Sequence, residues 1–159
     1  MWFKELLFTG LYTGYSPFMS GTMGTILAAL LYIIEQRLLG SNGCVANVVV
    51  VLVLLYPSFK LSEDGEKFFG TKDSSQIVID EIIGFWVAML FLPYNFMMVL
   101  FAFVIFRFLD IMKPFPINRL QRIKGGTGVM IDDIVAGIYT NIILWLLLYF
   151  AGDTLFPLL

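Results

Sequence analysis

The sequence predicts an all-α integral membrane protein, a helical bundle with about five membrane-embedded helices in a single domain over residues 1–159. Two observations lead to this fold class. Hydrophobic residues make up 59% of the chain and aromatic residues 16%, and the mean hydropathy is +0.87. Apolar residues make up only roughly half of a soluble domain. Charged residues account for 14% of the chain and are concentrated between long apolar runs.

The composition also limits the function. The net charge of −2 gives no basis for nucleic acid binding, so we expect no nucleic acid partner. The chain has no histidine, which excludes histidine as a nucleophile or general acid. Its one cysteine, Cys44, cannot form an intrachain disulfide. Val50 stands where a phosphate-binding thiolate loop would need arginine, which excludes that loop.

The first half of the chain predicts two apolar helices and then a polar segment. Residues 15–25 (YSPFMSGTMGT) are rich in turn formers and lead into an apolar run that ends near Leu39. A second run, rich in valine and leucine, covers residues 44–59. Residues 60–76 are polar and compatible with a helix, but they carry too much charge to enter lipid.

The second half predicts three more helices. Residues 82–106 carry no charge and are interrupted by Pro93-Tyr94-Asn95, which is typical of a turn. One kinked span would need about 20 residues, but we favour two helices, 77–92 and 96–112, joined at this turn. Each is then roughly 25 Å long, against a hydrocarbon core of about 30 Å. The last apolar run predicts a helix over residues 134–151.

The distribution of basic residues favours this helical hairpin. If five helices alternate in direction, one side of the membrane carries nine of the ten Lys and Arg residues and the other carries only Arg37. The positive-inside rule makes the crowded side cytoplasmic. With four helices the basic residues would be split between the two sides.

Two adjacent acidic pairs, Asp80-Glu81 and Asp132-Asp133, precede apolar runs. Either pair alone has an ordinary explanation, because acids in the first turn of a helix bind free N–H groups and complement the dipole. Alternating helices bring both pairs to the same side as Asp110, where unneutralised carboxylates would repel one another. We therefore predict that Asp80, Glu81, Asp132 and Asp133 bind Mg²⁺, which prefers hard oxygen ligands.

Arg107, Asp110 and Lys113 recur every three residues and so share one face of a helix. A salt-bridged helix end with extended cations would explain this spacing without any ligand. We predict instead that Arg107 and Lys113 bind phosphate oxygens, while Asp110 orients one of them or joins the metal. The candidate catalytic residues are therefore Asp80, Asp110, Arg107 and Lys113.

Two glycine-rich segments supply further candidates for substrate binding. Residues 20–25 open the first apolar helix, where free backbone N–H groups can bind an anion. Residues 125–128 (GGTG) offer the same groups before the last helix. The full predicted substrate-binding set is Thr22, Thr25, Arg107, Lys113 and Lys124. For Lys124, a role in topology or in attraction to anionic lipid is the stronger alternative.

Four segments resemble the sequence blocks of one known family, phosphatidylglycerophosphatase A. They are YSPFMSGTMGT (15–25), IVIDEIIGFW (77–86), FRFLDIMKPFPI (106–117) and KGGTGVMIDDIVAGIY (124–139), about a third of the chain, in the family's order. The resemblance implies a magnesium-dependent enzyme of the bacterial inner (cytoplasmic) membrane. Such an enzyme removes the terminal phosphate of phosphatidylglycerophosphate and leaves phosphatidylglycerol.

The sequence departs from the family pattern at two places. Ser20 stands where the family usually has proline, and residues 72–75 (KDSS) replace a turn that typically contains aspartate or histidine. Neither change affects the acidic pairs, so the resemblance still implies an active phosphatase.

Other functions are also compatible with carboxylates in an apolar chain. One is a phosphatase for another lipid phosphomonoester. A phospholipid alcohol transferase also uses metal-bound carboxylates, but its Asp-Gly…Ala-Arg pattern is absent, since Asp64-Gly65 continues into Glu66-Lys67. A cation carrier needs acids near the membrane midplane, whereas these lie at helix ends. The nucleophile stays open between water and a carboxylate, and the oligomeric state is not predicted.

Overall fold

The computed structural model describes residues 2–120 and 126–156, and within these ranges it contains helices and turns but no β-strand. The all-α class is therefore confirmed. In chain order the helices are α1 (Trp2–Phe8), α2 (Ser20–Leu39), α3 (Gly43–Phe69), α4 (Ile79–Ala88), α5 (Phe96–Met112), α6 (Ile117–Leu120) and α7 (Gly126–Leu155). Short 3₁₀ turns occupy Thr13–Tyr15 and Gly40–Asn42.

Helices α2 and α3 form an antiparallel pair joined by the turn Gly40–Asn42. The Nε2 of Gln36 donates a hydrogen bond to the carbonyl oxygen of Gly43 at 2.9 Å, which ties the two helix ends together. The sequence predicted an apolar run that ends at residue 59, but α3 continues through the polar residues to Phe69. It ends where Gly70 adopts a left-handed backbone with φ 68°.

Helix α4 is shorter than the predicted 77–92 at both ends and is about 15 Å long. Most of its side chains are buried, because α2, α3, α5 and α7 all pack against it. The Nδ2 of Asn141 donates to the carbonyl oxygens of Ala88 and Leu90, both at 2.8 Å. These bonds satisfy carbonyl groups at the end of α4, so the chain can leave the helix inside the bundle.

Helix α5 matches the predicted helix 96–112. The predicted break between two helices is confirmed, but the turn lies at residues 89–91, and residues 92–95 lead from it into α5. Asn95 caps the helix, since its Oδ1 accepts a hydrogen bond from the backbone N–H of Met97 at 2.8 Å. Helices α4 and α5 are antiparallel, because Arg107 near the end of α5 lies 3.8 Å from Glu81 at the start of α4.

Helix α7 begins at Gly126, well before the predicted start at residue 134. The glycine-rich segment 125–128 was predicted to precede the helix, but residues 126–128 form its first turn, because tertiary packing overrides the low helix propensity of glycine. A Cβ atom on Gly126 would lie 2.6 Å from the backbone nitrogen of Glu63, so the first turn of α7 packs directly on α3. Near its other end, α7 is kinked at Ala151, where φ is −136° and ψ is 17°.

The helix ends converge at one end of the bundle, which we call the polar end. Here α2, α4 and α7 begin and α3 and α5 end. Two stretches of the described residues, Ser20–Phe69 and Gly126–Gly152, are long and apolar enough to cross a membrane by length and composition. The first contains both α2 and α3.

Candidate active site

The first acidic pair lies in the opening turn of α4, at the polar end. Asp80 is 4% exposed, and its Oδ1 accepts a hydrogen bond from the backbone N–H of Glu81 at 3.1 Å. The contact satisfies one free N–H group of the first turn, but it is not an N-cap bond, because the N-cap residue is Val78 and makes no side-chain cap bond. Glu81 behaves differently: its Oε2 is buried and has no hydrogen-bond partner among the residues that the structure describes.

The second acidic pair does not cap a helix. Because α7 begins at Gly126, Asp132 and Asp133 lie well inside the helix and not in its first turn. Both are nonetheless buried, with exposed fractions of 1% and 4%. Burial of a carboxylate is costly unless a cation or a hydrogen-bond donor compensates for it. The pair therefore needs partners from outside α7.

Three of the four predicted metal ligands come together. Asp80, Glu81 and Asp133 each offer a carboxylate oxygen, and these oxygens lie within 4.8 Å of one another. Asp133 lies close to three further acids, Asp110, Asp80 and Asp132, and Lys113 is a nearby cation. A cluster of buried carboxylates with too few cations, and with the Oε2 of Glu81 unpartnered, fits a hard divalent cation. We call Asp80, Glu81 and Asp133 the acid trio.

Asp132, the fourth predicted ligand, contacts a lysine. Its Oδ2 accepts a hydrogen bond from the Nζ of Lys113 at 2.6 Å. Lys113 lies just after α5, with a left-handed backbone of φ 43°, and donates its backbone N–H to the carbonyl of Leu109 at 2.8 Å. Asp132 is therefore adjacent to Asp133 in the sequence, but its side chain contacts Lys113 and is not part of the acid trio.

The predicted face of α5 points toward these acids. The Nη1 of Arg107 lies 2.5 Å from the Oδ2 of Asp110 and 3.8 Å from the Oε1 of Glu81. Lys113 is 4.0 Å from the Oδ1 of Asp110. The two cations therefore link α5 to both acidic pairs, and the side chains predicted to bind phosphate lie next to those that can hold a metal.

The start of α2 closes one side of the cluster through Gly21. A Cβ atom there would lie 2.1 Å from the Oε1 of Glu81 and 3.1 Å from both terminal nitrogens of Arg107. From the sequence, residues 20–25 were predicted only to supply backbone N–H groups. The spacing of three residues between Gly21 and Gly24, which packs on Val78, is typical of a helix face in close contact with another helix and is the signal for this role.

The structure shows no shared contact among the remaining predicted substrate-binding residues that it describes. The hydroxyl of Thr25 is fully buried and donates to the carbonyl of Gly21 at 2.8 Å, within its own helix. The Oγ1 of Thr22 is buried and has no hydrogen-bond partner within residues 2–120 and 126–156. Lys124 lies outside the described residues. No substrate contact of these three residues is tested.

Fold and site together define a class of protein. An apolar helical bundle carries at one end a group of carboxylates that can hold a metal and two cations that can bind phosphate, the groups that a lipid phosphatase uses. A sequence model of phosphatidylglycerophosphatase A matches residues 6–148, and the chain belongs to this family. The resemblance noted in the sequence is therefore confirmed.

Relatives agree with this assignment. The chain is 37% identical to phosphatidylglycerophosphatase A of Escherichia coli over 150 residues, which cover 93% of this chain and 83% of that protein. It is 32% identical to phosphatidylglycerophosphatase A of Haemophilus influenzae over 148 residues, 91% of this chain and 88% of the relative. A Bacteroides thetaiotaomicron protein named "putative phosphatidylinositol-3-phosphatase" is 35% identical over 143 residues, 87% and 89% of the two chains. No solved structure matches the chain.

The protein is thus an enzyme of the lipid phosphatase class. This finding separates it from the phospholipid alcohol transferase and the cation carrier, which the residues alone had left open.

Proposed function

We propose that the enzyme hydrolyses the terminal phosphomonoester of phosphatidylglycerophosphate, which gives phosphatidylglycerol and inorganic phosphate. The observation that carries the proposal is the position of the acid trio beside Arg107 and Lys113, in a chain of the phosphatidylglycerophosphatase A family. A phosphate dianion needs positive charge around it, and metal-holding acids next to two cations supply that environment.

We propose Mg²⁺ as the metal, with Asp80, Glu81 and Asp133 as the residues that hold it. Carboxylate oxygens suit this ion, which commonly binds through one or two carboxylates together with substrate phosphate. When bound, the metal would supply positive charge that neutralises the phosphate and stabilises the oxygen of the leaving glycerol. The unpartnered Oε2 of Glu81 supports this assignment, since it lacks any compensating donor among the described residues.

The protein's own groups complete the site. Arg107 and Lys113 bind the phosphate oxygens and hold the group in place while the ester bond breaks. Asp110 fixes the guanidinium of Arg107 through the contact at 2.5 Å. We favour water as the nucleophile, because the acid trio is committed to the metal and Asp110 is bound to Arg107. A carboxylate nucleophile would have to be Asp80 or Asp110, freed from these contacts.

The membrane arrangement follows from the substrate and the charges. We propose that the apolar helices lie in the bacterial inner membrane and that the polar end faces the cytoplasm. There the site residues can contact the lipid headgroup. The excess of Lys and Arg on that side supports this orientation. Helix α4 is too short to cross a hydrocarbon core of about 30 Å by itself, so it would lie within the bundle, shielded from lipid by its neighbours.

A second substrate is favoured by one specific observation. The relative from Bacteroides thetaiotaomicron is named "putative phosphatidylinositol-3-phosphatase" and is about as similar to this chain as the other two. Both lipids present a phosphomonoester on an alcohol at the membrane surface. They differ in the alcohol, which is a primary hydroxyl of glycerol in one and a ring hydroxyl in the other.

Phosphate release from purified protein in detergent micelles tests the proposal. Phosphatidylglycerophosphate, phosphatidylinositol 3-phosphate and phosphatidic acid are compared at equal surface concentration, with Mg²⁺ and with chelator. We expect the highest kcat/KM for phosphatidylglycerophosphate, and only with Mg²⁺. Preference for the inositol lipid would assign the second substrate, and turnover that persists in chelator would refute the role of the metal.

A further inference from the structure

We propose that Asp132 positions Lys113 for phosphate binding and is not a ligand of the metal. The proposal rests on the proposed function, because it divides one site into a metal-holding part and a phosphate-holding part. It gives Asp132 a role other than the one that its sequence position, next to Asp133, suggests.

Helix geometry separates the two neighbouring acids. Consecutive side chains on an α-helix project about 100° apart, so Asp132 and Asp133 cannot both point toward the same ion with equal ease. Asp133 turns toward α4 and joins Asp80 and Glu81 within 4.8 Å. Asp132 turns toward the end of α5, where its Oδ2 lies 2.6 Å from the Nζ of Lys113. Its Oδ1 is buried and has no hydrogen-bond partner among the described residues, as is true of the Oε2 of Glu81, but Asp132 is not one of the three residues whose oxygens lie within 4.8 Å of one another.

The burial of the two partners indicates which one meets the substrate. The side chain of Asp132 is 1% exposed, whereas that of Lys113 is 25% exposed. Asp132 therefore lies on the inner side of the pair and Lys113 on the outer side. An ammonium group has three donors, so Lys113 can keep its bond to Asp132 and still donate to a phosphate oxygen.

The other cation also has its closest contact with an acid outside the trio, although Arg107 and Asp110 are about equally buried. Arg107 contacts Asp110 at 2.5 Å, much closer than its contact of 3.8 Å with Glu81 in the acid trio. Each cation thus has one acid within hydrogen-bond distance that does not belong to the trio. A cation held in this way loses less side-chain entropy when it binds phosphate than a free one does.

Metal affinity gives the first test, with Mn²⁺ alone as the probe. Free Mn²⁺ is measured by electron paramagnetic resonance during titration of the wild-type protein, Asp132→Asn and Asp133→Asn. We expect the Asp133 variant to lose roughly tenfold or more in affinity, and the Asp132 variant to stay within about twofold of wild type. Equal losses in the two variants would overturn the proposal and make Asp132 a ligand.

Phosphate affinity gives the second test, through inhibition by inorganic phosphate and through the KM for the lipid. Asp132→Asn is expected to raise the inhibition constant of phosphate and the KM for the lipid about tenfold each, because a displaced lysine contacts phosphate poorly. Lys113→Gln should have a similar effect, and the double variant should be no worse than Lys113→Gln, since the two residues act as one unit. Effects that multiply would show independent roles and refute the proposal.

Two further variants keep the test decisive. Asp64→Asn removes an ion pair with Lys4 of the same length, 2.6 Å, outside the site and should change neither affinity. If Asp132→Asn does not fold because Lys113 loses its closest ionic partner, the double variant removes both charges and serves for the Mn²⁺ titration. Loss of Mn²⁺ affinity in that variant would also overturn the proposal.

If the wild type hydrolyses no lipid phosphate, the proposed function fails while the Mn²⁺ titration still decides the role of Asp132.

Discussion

Gly84 and Gly137 bring the backbones of α4 and α7 into direct contact: a Cβ atom on Gly137 would lie 2.3 Å from the carbonyl oxygen of Gly84. A Cβ atom on Gly84 would in turn lie 2.8 Å from the carbonyl oxygen of Asp133. This contact sets the distance between the two helices that carry the acid trio. Small residues at such positions allow apolar helices to approach closely.

Gly137→Ala should therefore destabilise the whole bundle. The added methyl group meets a backbone atom, which cannot move without shifting α4, and overpacking of this kind costs about 1–3 kcal/mol. Thermal unfolding in detergent measures the effect as a lower Tm. Gly152→Ala is the matched control on the same helix, because its Cβ atom would lie 3.5 Å from the nearest side-chain atom, Cδ1 of Leu148. An unchanged Tm in Gly137→Ala would contradict the close packing.

Gly21→Ala should reduce activity and leave the stability of the fold unchanged, in contrast to Gly137→Ala. Its Cβ atom would meet the ends of Glu81 and Arg107, which can rotate away at little cost to the fold. That rotation disperses the charged groups, and we expect kcat/KM to fall about 100-fold, as small displacements in an active site commonly do. Phosphate release and Tm are measured on the same sample. Full activity would show that Glu81 and Arg107 are not required in their present positions.

Removal of divalent metal should abolish turnover reversibly. Without a cation, the buried carboxylates of the acid trio repel one another and the phosphate as well. Phosphate release is followed after treatment with chelator and again after addition of Mg²⁺. Glu81→Gln and Asp133→Asn should need a higher Mg²⁺ concentration for half-maximal activity, while Asp64→Asn should need the wild-type concentration.

The topology can be tested with single cysteines in a Cys44→Ser background. Ser41 is exposed in the turn between α2 and α3, and Lys67 is exposed near the end of α3, toward the polar end. Ser41→Cys should react with an impermeant thiol reagent from outside the cell, and Lys67→Cys only after the inner membrane is opened. Labelling of both from the same side would exclude a hairpin that crosses the membrane.

The stereochemistry at phosphorus distinguishes the two nucleophiles. Direct attack by water inverts the configuration, whereas a phosphoenzyme on a carboxylate retains it through two inversions. A chiral thiophosphate analogue hydrolysed in isotopically labelled water gives the configuration, and we expect inversion. Retention would make Asp110 or Asp80 the nucleophile.

The helical hairpin and the chemical nature of the site could be predicted from sequence, because both depend on local signals. Pro93-Tyr94-Asn95 interrupts an uncharged run, and α5 begins and ends at the predicted residues. The early start of α7 and the short α4 could not be predicted. They depend on distant partners: Gly126 packs on Glu63, and Asn141 binds the carbonyl groups at the end of α4.

The pairing of acids with cations was also beyond the sequence. Residue types and spacing predicted that acidic pairs and a basic face would meet, and the structure brings Asp80, Glu81 and Asp133 together. Which acid takes which partner depends on the rotation of α7 about its axis, and that rotation is set by the contact between Gly84 and Gly137. The sequence therefore predicted the same role for the neighbouring residues Asp132 and Asp133, but in the structure they contact different partners.

The enclosure of α4 has a consequence for biosynthesis. Its opening turn carries Asp80 and Glu81, and its sides are covered by helices made both before and after it. A ribosome that has completed α5 has therefore made a chain in which α4 still lacks α7, its most extensive neighbour, and in which the third acid, Asp133, does not exist. The three carboxylates of the acid trio can therefore come together only after α7 has packed against α4, so an incomplete chain lacks the full cluster.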